Sequence, residues 1–390
     1  MCLIAGPRQV GKTTLAKHWL ERPDLPQAYF NWDIDSDRRS ILKYPDDFWK
    51  RKNSTVQTPV KLALDEIHKF PRWKRFLKGL YDSQGGNLRI MVTGSGKLDV
   101  YQKGGDSLFG RYQLYHLHPF TLGECLSNGK PFHPSPKSFF EEILRHPPTK
   151  AADENLRHLE KFTGFPEPLF AGSESRLRRW SRSHEQLIIR EELRDLTRIR
   201  ELGLIETLVS LLPERTGSPL SINSLREDVG VRFETIQNWL GALSRLFYLF
   251  SIRPYAGKLV RTLRREEKFY LFDYSVIEDV GARFETMAAL HLRKLCDYWT
   301  ETGQGDFQLH YVRDRERRET DFLISQDRQP FALVEVKLKG SNIDPSLRYF
   351  SDRLKPKYSM QIVREAEGFR DAFVSKGILL TTAAQALAVM

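Results

Sequence analysis

Cysteine is scarce. The chain has three in 390 residues, Cys2, Cys125 and Cys296, far apart and with no CxxC pair. That excludes a disulfide framework and a thiolate zinc site, and it suits a reducing compartment. No apolar run approaches the roughly 20 residues that a membrane-spanning helix needs. The chain also starts without the basic segment, apolar stretch and cleavage site of a secretion signal. The expectation is a soluble cytoplasmic protein with no membrane partner. Internal repeats and low-complexity tracts are missing as well.

What is present is enough apolar material for several cores. Hydrophobic residues make up 40% of the chain and aromatic residues 12%, so 390 residues imply two to four domains. The charged fraction of 28% is only slightly above the globular norm, but its balance is strongly basic, with a net charge of +11. A positive excess of this size favours an anionic partner, nucleic acid foremost.

The first third alternates short apolar strands with helical stretches. Strands are expected at Cys2–Ala5, Ala28–Trp32, Val60–Leu64 and Leu88–Val92, with helices through Trp19 and Leu20 and over Trp73–Tyr81. Such alternation predicts a parallel sheet covered by helices on both faces. A stretch rich in Pro, Lys and His from about Gly129 to Pro148 marks a boundary or an insertion. The expected division is 1–135, an α/β P-loop domain; 136–203, a linker and helical region; 204–272, a helical unit; and 273–390, a small α/β domain. In 204–272, helices are expected at Ile205–Leu212, Ile222–Val229 and Phe233–Leu249, the last two joined by the glycine-containing turn Asp228–Val231. The last segment should hold a helix at Phe284–Trp299, then strands near Phe307–Val312, Asp321–Ile324 and Ala332–Val336.

The sharpest motif lies near the start. Gly6-Pro7-Arg8-Gln9-Val10-Gly11-Lys12-Thr13 fits G-x-x-x-x-G-K-[ST] between an apolar strand and a helix, and the loop runs on to Thr14. The glycines let the backbone curl so that its N–H groups face phosphates. Lys12 is expected on the β- and γ-phosphates of ATP, and the Thr13 hydroxyl on Mg2+. Downstream, Val60–Leu64 delivers Asp65 to the metal side, and Glu66 is placed to polarise the water that attacks the γ-phosphate. The next strand ends in Thr93-Gly94-Ser95, where either hydroxyl, Thr93 or Ser95, is a candidate to sense that phosphate. Arg111 is a candidate arginine finger, acting within the chain or toward a neighbouring subunit of a homo-oligomer.

These motifs together resemble a family of prokaryotic AAA-type ATPases that carry a C-terminal domain of uncharacterised function. The resemblance rests on the loop, on Leu64-Asp65-Glu66-Ile67-His68-Lys69, on Thr93-Gly94-Ser95, and on Gly110-Arg111 ahead of Pro119-Phe120. Gly164-Phe165-Pro166-Glu167, Arg194-Asp195-Leu196 and Tyr270-Leu271-Phe272-Asp273 look like the family's later landmarks. Members usually have a further segment ahead of the phosphate loop. This chain begins almost on its first strand, so some base contacts and part of the domain edge are expected to be missing.

The last segment carries a second constellation. Asp321 opens one apolar strand, and Leu333-Val334-Glu335-Val336-Lys337 ends the next. Strand periodicity puts Glu335 and Lys337 on one face, opposite Val334 and Val336. If the strands pair, two carboxylates and a lysine converge, with Glu285 on the preceding helix as a further metal-side carboxylate. The arrangement resembles the PD-(D/E)XK nuclease core, a restriction-endonuclease-like fold. The resemblance implies Mg2+ on Asp321, Glu335 and Glu285, and a water oriented or deprotonated by Lys337.

Residues 204–272 resemble a winged helix. The third helix presents Arg232, Gln237, Asn238 and Arg245, side chains suited to base edges and phosphates. The proposed wing adds Arg253, Lys258, Arg261, Arg264 and Arg265. Two functions follow as expectations. One is an ATP-hydrolysing protein that acts on DNA through a nuclease-like effector. The other is a non-cleaving, ATP-dependent regulator whose C-terminal domain only binds DNA or a protein partner. A transporter or metabolic kinase fits neither the missing membrane segment nor the C-terminal half.

Overall fold

The computed structural model of the protein describes residues 1–22, 24–52, 59–95, 108, 110–127, 134–193, 202–256 and 266–390. The chain forms two compact units, one of residues 1–118 with 245–247, the other of 119–244 with 248–390. No helix among the described residues is long and apolar enough to cross a membrane.

The first unit is built on short strands, the central ones mostly apolar and the two edge strands more polar. These are β1 (Cys2–Ala5), β2 (Gln27–Asn31), β3 (Val60–Asp65), β4 (Leu88–Thr93) and β5 (Gln113–His116). All neighbours run parallel, in the order β2-β3-β4-β1-β5. Parallel strands are covered on both faces, which is why β3 is buried at every position. Leu3, Phe30, Leu62, Leu64 and Val92 form the centre of the core. Three helices follow strands in turn: α1 (Lys12–Glu21), α2 (Asp35–Lys43) and α3 (Trp73–Gln84). In α3 the buried residues Trp73, Leu77 and Leu80 recur at helical spacing, so one stripe faces the sheet.

The second unit begins with helices, α4 (Leu122–Leu126), α5 (Phe139–Arg145), α6 (Lys150–Phe162), α7 (Pro166–Ala171) and α8 (Glu174–Gln186). Three more follow at α9 (Leu202–Leu211), α10 (Ile222–Val229) and α11 (Phe233–Arg245). The expected third helix is four residues shorter than its apolar pattern suggested. Phe247 takes a positive φ of 56°, and the Tyr248 amide donates to Leu243 O across the helix end. This is a left-handed helix stop without glycine, and strand β6 (Leu249–Pro254) starts two residues later.

β6 and its antiparallel partner β7 (Lys268–Leu271) are where a wing was expected. They run on into the C-terminal sheet, because β6 also pairs with β8 (Phe307–Arg313). The sheet continues through β9 (Glu319–Gln326), β10 (Gln329–Gly340), β11 (Tyr358–Ala366), β13 (Ile378–Thr382) and β12 (Phe373–Ser375). The 22-residue helix α12 (Val280–Glu301) packs on β8 and β10 and is capped by Asp279, whose carboxylate accepts from the Ala282 amide at 2.7 Å. The basic residues Lys258, Arg261, Arg264 and Arg265 lie outside the described residues, as do Arg194-Asp195-Leu196.

Candidate nucleotide site and C-terminal carboxylate cluster

The nucleotide site is assembled at the C-terminal edge of the first sheet. β1 delivers Gly6, and the loop that follows bends through two left-handed positions, Gln9 at φ 60° and Gly11 at φ 103°. Gly6 is required sterically, since a Cβ there would lie 2.2 Å from the carbonyl oxygen of Leu117. α1 then begins at Lys12 with no acidic residue in its first turn and no side-chain cap. Its amide end therefore presents unneutralised positive character to the loop, the condition under which helix ends take up phosphate.

Lys12 is buried, and its ammonium donates to Gly6 O at 2.9 Å and Pro7 O at 2.5 Å. These bonds close the loop on itself. Thr13 and Thr14 are exposed on the first turn. Asp65, 1% exposed, ends β3 beside them. Its Oδ2 accepts from Thr13 Oγ1 at 2.6 Å and Tyr29 OH at 2.8 Å, and its Oδ1 accepts from Thr93 Oγ1 at 2.6 Å. Three hydroxyls on one buried carboxylate compensate its desolvation and keep it available as an acceptor. Thr93 is thereby an orienter of Asp65, and Tyr29 is a participant that the sequence reading missed.

Glu66 follows in a left-handed conformation (φ 57°) that opens a tight turn. Burial raises its carboxyl above the ordinary range, while Lys69, Arg8 and Lys12 pull in the opposite direction. Its Oε2 lies 3.3 Å from Lys69 Nζ and 3.6 Å from His68 Nε2. A carboxylate with a raised proton affinity at this edge is chemically suited to accept a proton from water. Ser95 is buried at the end of the next strand. Arg111 donates from Nε and a terminal nitrogen to the two oxygens of Asp82 on α3 at 2.7 and 3.1 Å.

The donor set fits a magnesium ion. Thr13 contributes a hydroxyl and Asp65 a carboxylate, both hard oxygens and already within contact of each other.

The second cluster lies within the other unit. The register of β9 against β10 pairs Phe322 with Val334. As a result Asp321 Oδ2 accepts from the Val336 amide at 2.9 Å, and Glu335 Oε2 from the Asp321 amide at 3.3 Å. Lys337 Nζ lies 2.7 Å from Glu335 and 3.0 Å from Asp344. Glu285, on α12, accepts from Tyr270 OH at 2.8 Å and lies 3.5 Å from Lys268 Nζ, which is also 2.6 Å from Glu319. Asp321, Glu335 and Lys337 thus lie along one run of contacts, while Glu285 contacts Tyr270 and Lys268. Lys268, Tyr270, Glu319 and Asp344 are additions. Burial and the Asp321 charge raise the Glu335 carboxyl, and the same two influences raise that of Glu285, while Lys337 and Lys268 respectively oppose them. Among the described residues, no group of three or more His, Cys, Asp or Glu side chains is placed to hold a metal ion.

Residues 1–126 match the family model of the AAA domain. Residues 154–285 and 280–379 match two domains of unknown function, DUF8612 and DUF4143. Over 352 residues the chain is 24% identical to an uncharacterized protein of Methanocaldococcus jannaschii, covering 79% of this chain and 72% of that one. It is 21% identical to uncharacterized proteins of Mycobacterium bovis and Mycobacterium tuberculosis, over 89% of this chain and 72% of each relative. Among solved structures it is similar to the Aeropyrum pernix ORC1 protein in complex with DNA, with 14% identity, 74% of this chain and 86% of that chain covered, and a TM-score of 0.33. A Thermotoga maritima RuvB mutant is 16% identical, over 68% of this chain and 84% of that one, at a TM-score of 0.28. The N-terminal segment, a parallel α/β sheet with its loop after β1, is thus similar to the AAA domain, and an α/β region that matches two domains of unknown function follows it.

Proposed function

We propose that the protein binds ATP with magnesium at the loop Gly6–Thr14, hydrolyses it, and uses the cycle to act on DNA. The observation that carries this reading is the 2.6 Å contact between Thr13 Oγ1 and Asp65 Oδ2, which joins the phosphate loop to the end of β3. In this reading the Lys12 ammonium leaves the carbonyls of Gly6 and Pro7 for the β- and γ-phosphates. Thr13 and Asp65 hold the magnesium, which neutralises phosphate charge when bound. Glu66 takes a proton as a water oxygen attacks the γ-phosphorus and the bond to the bridging oxygen breaks, releasing ADP. Thr93 and Tyr29 fix the orientation of Asp65 throughout. Thr13→Ala tests the assignment. ATP turnover is expected to fall at least ~100-fold, the scale on which one electrostatic stabiliser is lost, and wild-type turnover in that variant would refute it.

DNA as the partner is supported by the net charge of +11 and by exposed polar and basic side chains. Arg232, Gln237 and Asn238 are exposed at the start of α11, and Arg176, Arg179 and Arg182 are exposed on α8. If these arginines meet phosphates, neutralising Arg179 with Arg182 lowers the salt dependence of DNA affinity by roughly two in log–log slope. An unchanged slope removes α8 from the interface. For the C-terminal domain the ion pairs of Lys268 and Lys337 favour the regulator reading, in which it engages its partner without cleaving it.

A further inference from the structure

The nuclease resemblance places a divalent cation among Asp321, Glu335 and Glu285, and the chemistry of these residues argues for a different occupant. Lys268 is 1% exposed and arrives from β7, outside the segment that bears the other residues. Its ammonium lies 2.6 Å from Glu319 and 3.5 Å from Glu285. An isolated ammonium in such a place would give up its proton. Here the Glu319 and Glu285 carboxylates lie against it, the pairing that a buried ammonium requires.

The carboxylates are committed one by one. Glu285 has Tyr270 OH and Lys268. Glu319 has Lys268 and, at 3.5 Å, Arg313. Asp321 accepts from the Val336 amide, and Glu335 from the Asp321 amide and Lys337. Asp344 serves Lys337 and caps the helix that begins at Pro345, accepting from the Ser346 amide at 2.7 Å. A magnesium or manganese ion needs several oxygens free to turn toward one point. Here the chain's own ammonium groups sit at both ends of the carboxylate row, and a metal approaching Glu285 meets a buried like charge.

We propose that Lys268 is the resident cation of this cluster, and that the C-terminal domain holds no divalent metal there. The ammonium pins β7 to α12 and β9, joining the hairpin to the sheet's carboxylate face. The inference concerns only the second unit and stands apart from ATP binding in the first.

Manganese binding followed by electron paramagnetic resonance tests it. The nucleotide-free 390-residue chain carries Asp65→Asn throughout, so that the N-terminal site does not contribute. Adding Glu335→Gln or Glu285→Gln to this background is expected to leave manganese stoichiometry unchanged. One ion per chain that either substitution removes would overturn the proposal. In a second arm, Lys268→Met, checked for folding by circular dichroism, is expected to gain one manganese site that a further Glu285→Gln removes. A folded Lys268→Met chain that gains none also overturns it. If that variant does not fold, the first arm decides alone.

Discussion

Two glycine-to-alanine substitutions in the first unit should have opposite effects, for reasons written in the backbone. At Gly6 an added methyl would lie 2.2 Å from Leu117 O and 3.2 Å from Leu117 C, both main-chain atoms that cannot rotate away. An ordinary carbon–oxygen contact is about 3.3 Å, so the end of β1 and the residue after β5 must part by roughly 1 Å. The Leu117 amide donates to Ala5 O at 2.8 Å across the same gap and would be strained with them. Overpacking of this kind costs about 1–3 kcal/mol and a weakened backbone hydrogen bond about 1 more, giving a loss of about 2–4 kcal/mol. Gly79 is the matched control. It lies on the exposed side of α3 with nothing within 4 Å of an added Cβ, so Gly79→Ala should stabilise by about 0.5–1 kcal/mol through helix propensity. Hydrogen–deuterium exchange of the β1 and β3 amides reads the effect locally, where a whole-chain melting curve of two units would blur it. Protection in these strands should fall for Gly6→Ala and hold or rise for Gly79→Ala. Wild-type protection in Gly6→Ala would refute the steric argument, and the loop geometry derived from it.

Three further outcomes are expected. Asp65→Asn keeps the shape of an acceptor of three hydroxyl bonds but removes its negative charge and turns one oxygen into a donor, so ATP turnover should fall ~100-fold or more in a coupled assay. Glu66→Gln should lower turnover about 10²–10⁴-fold while ATP binding persists in a filter assay. Because burial raises the Glu66 carboxyl, wild-type turnover should decline on acidification at a pH above the usual glutamate range, and the variant should lack that limb. Burial and the Asp321 charge raise the Glu335 carboxyl in the folded state, so the unfolded form ionises first as pH rises. Its contribution to stability is present below the ordinary glutamate range and is lost as pH climbs through the raised folded-state value, and Glu335→Gln should flatten that part of a denaturation-midpoint profile.

The nucleotide site was the most legible part of the sequence because its determinants are local. Glycine spacing sets the loop, a four-residue apolar strand precedes it, and Asp65 closes a strand whose every residue is buried. The hydroxyls around Asp65 were not legible in the same way. Tyr29 reaches it because the β2–β3 register sets Asn31 opposite Asp65, and register is a property of paired strands. From sequence Arg111 reads as a surface ion-pair former more readily than as a finger, and its partner Asp82 was not legible there because the pair joins segments 29 residues apart. In the C-terminal domain the alternation of Glu335 and Lys337 was visible, while Lys268 and Tyr270 lie at least 49 residues from the strand carboxylates Glu319, Asp321 and Glu335. The one available signal was their own period of two in Lys268-Phe269-Tyr270, which puts both side chains on one face of β7. The early end of α11 has no such signal, since Phe247 occupies a left-handed position where glycine is the usual marker.

The account rests most heavily on the loop amides and the Lys12 ammonium holding a triphosphate beside a metal-binding Thr13–Asp65 pair. Isothermal titration of ATP into the 390-residue chain, with and without magnesium, measures this directly, with Lys12→Ala as the paired sample. The account predicts one site per chain whose affinity rises when magnesium is present and falls at least tenfold in Lys12→Ala. Absence of magnesium-dependent heat in the wild-type protein, or equal affinity in the two proteins, would contradict it.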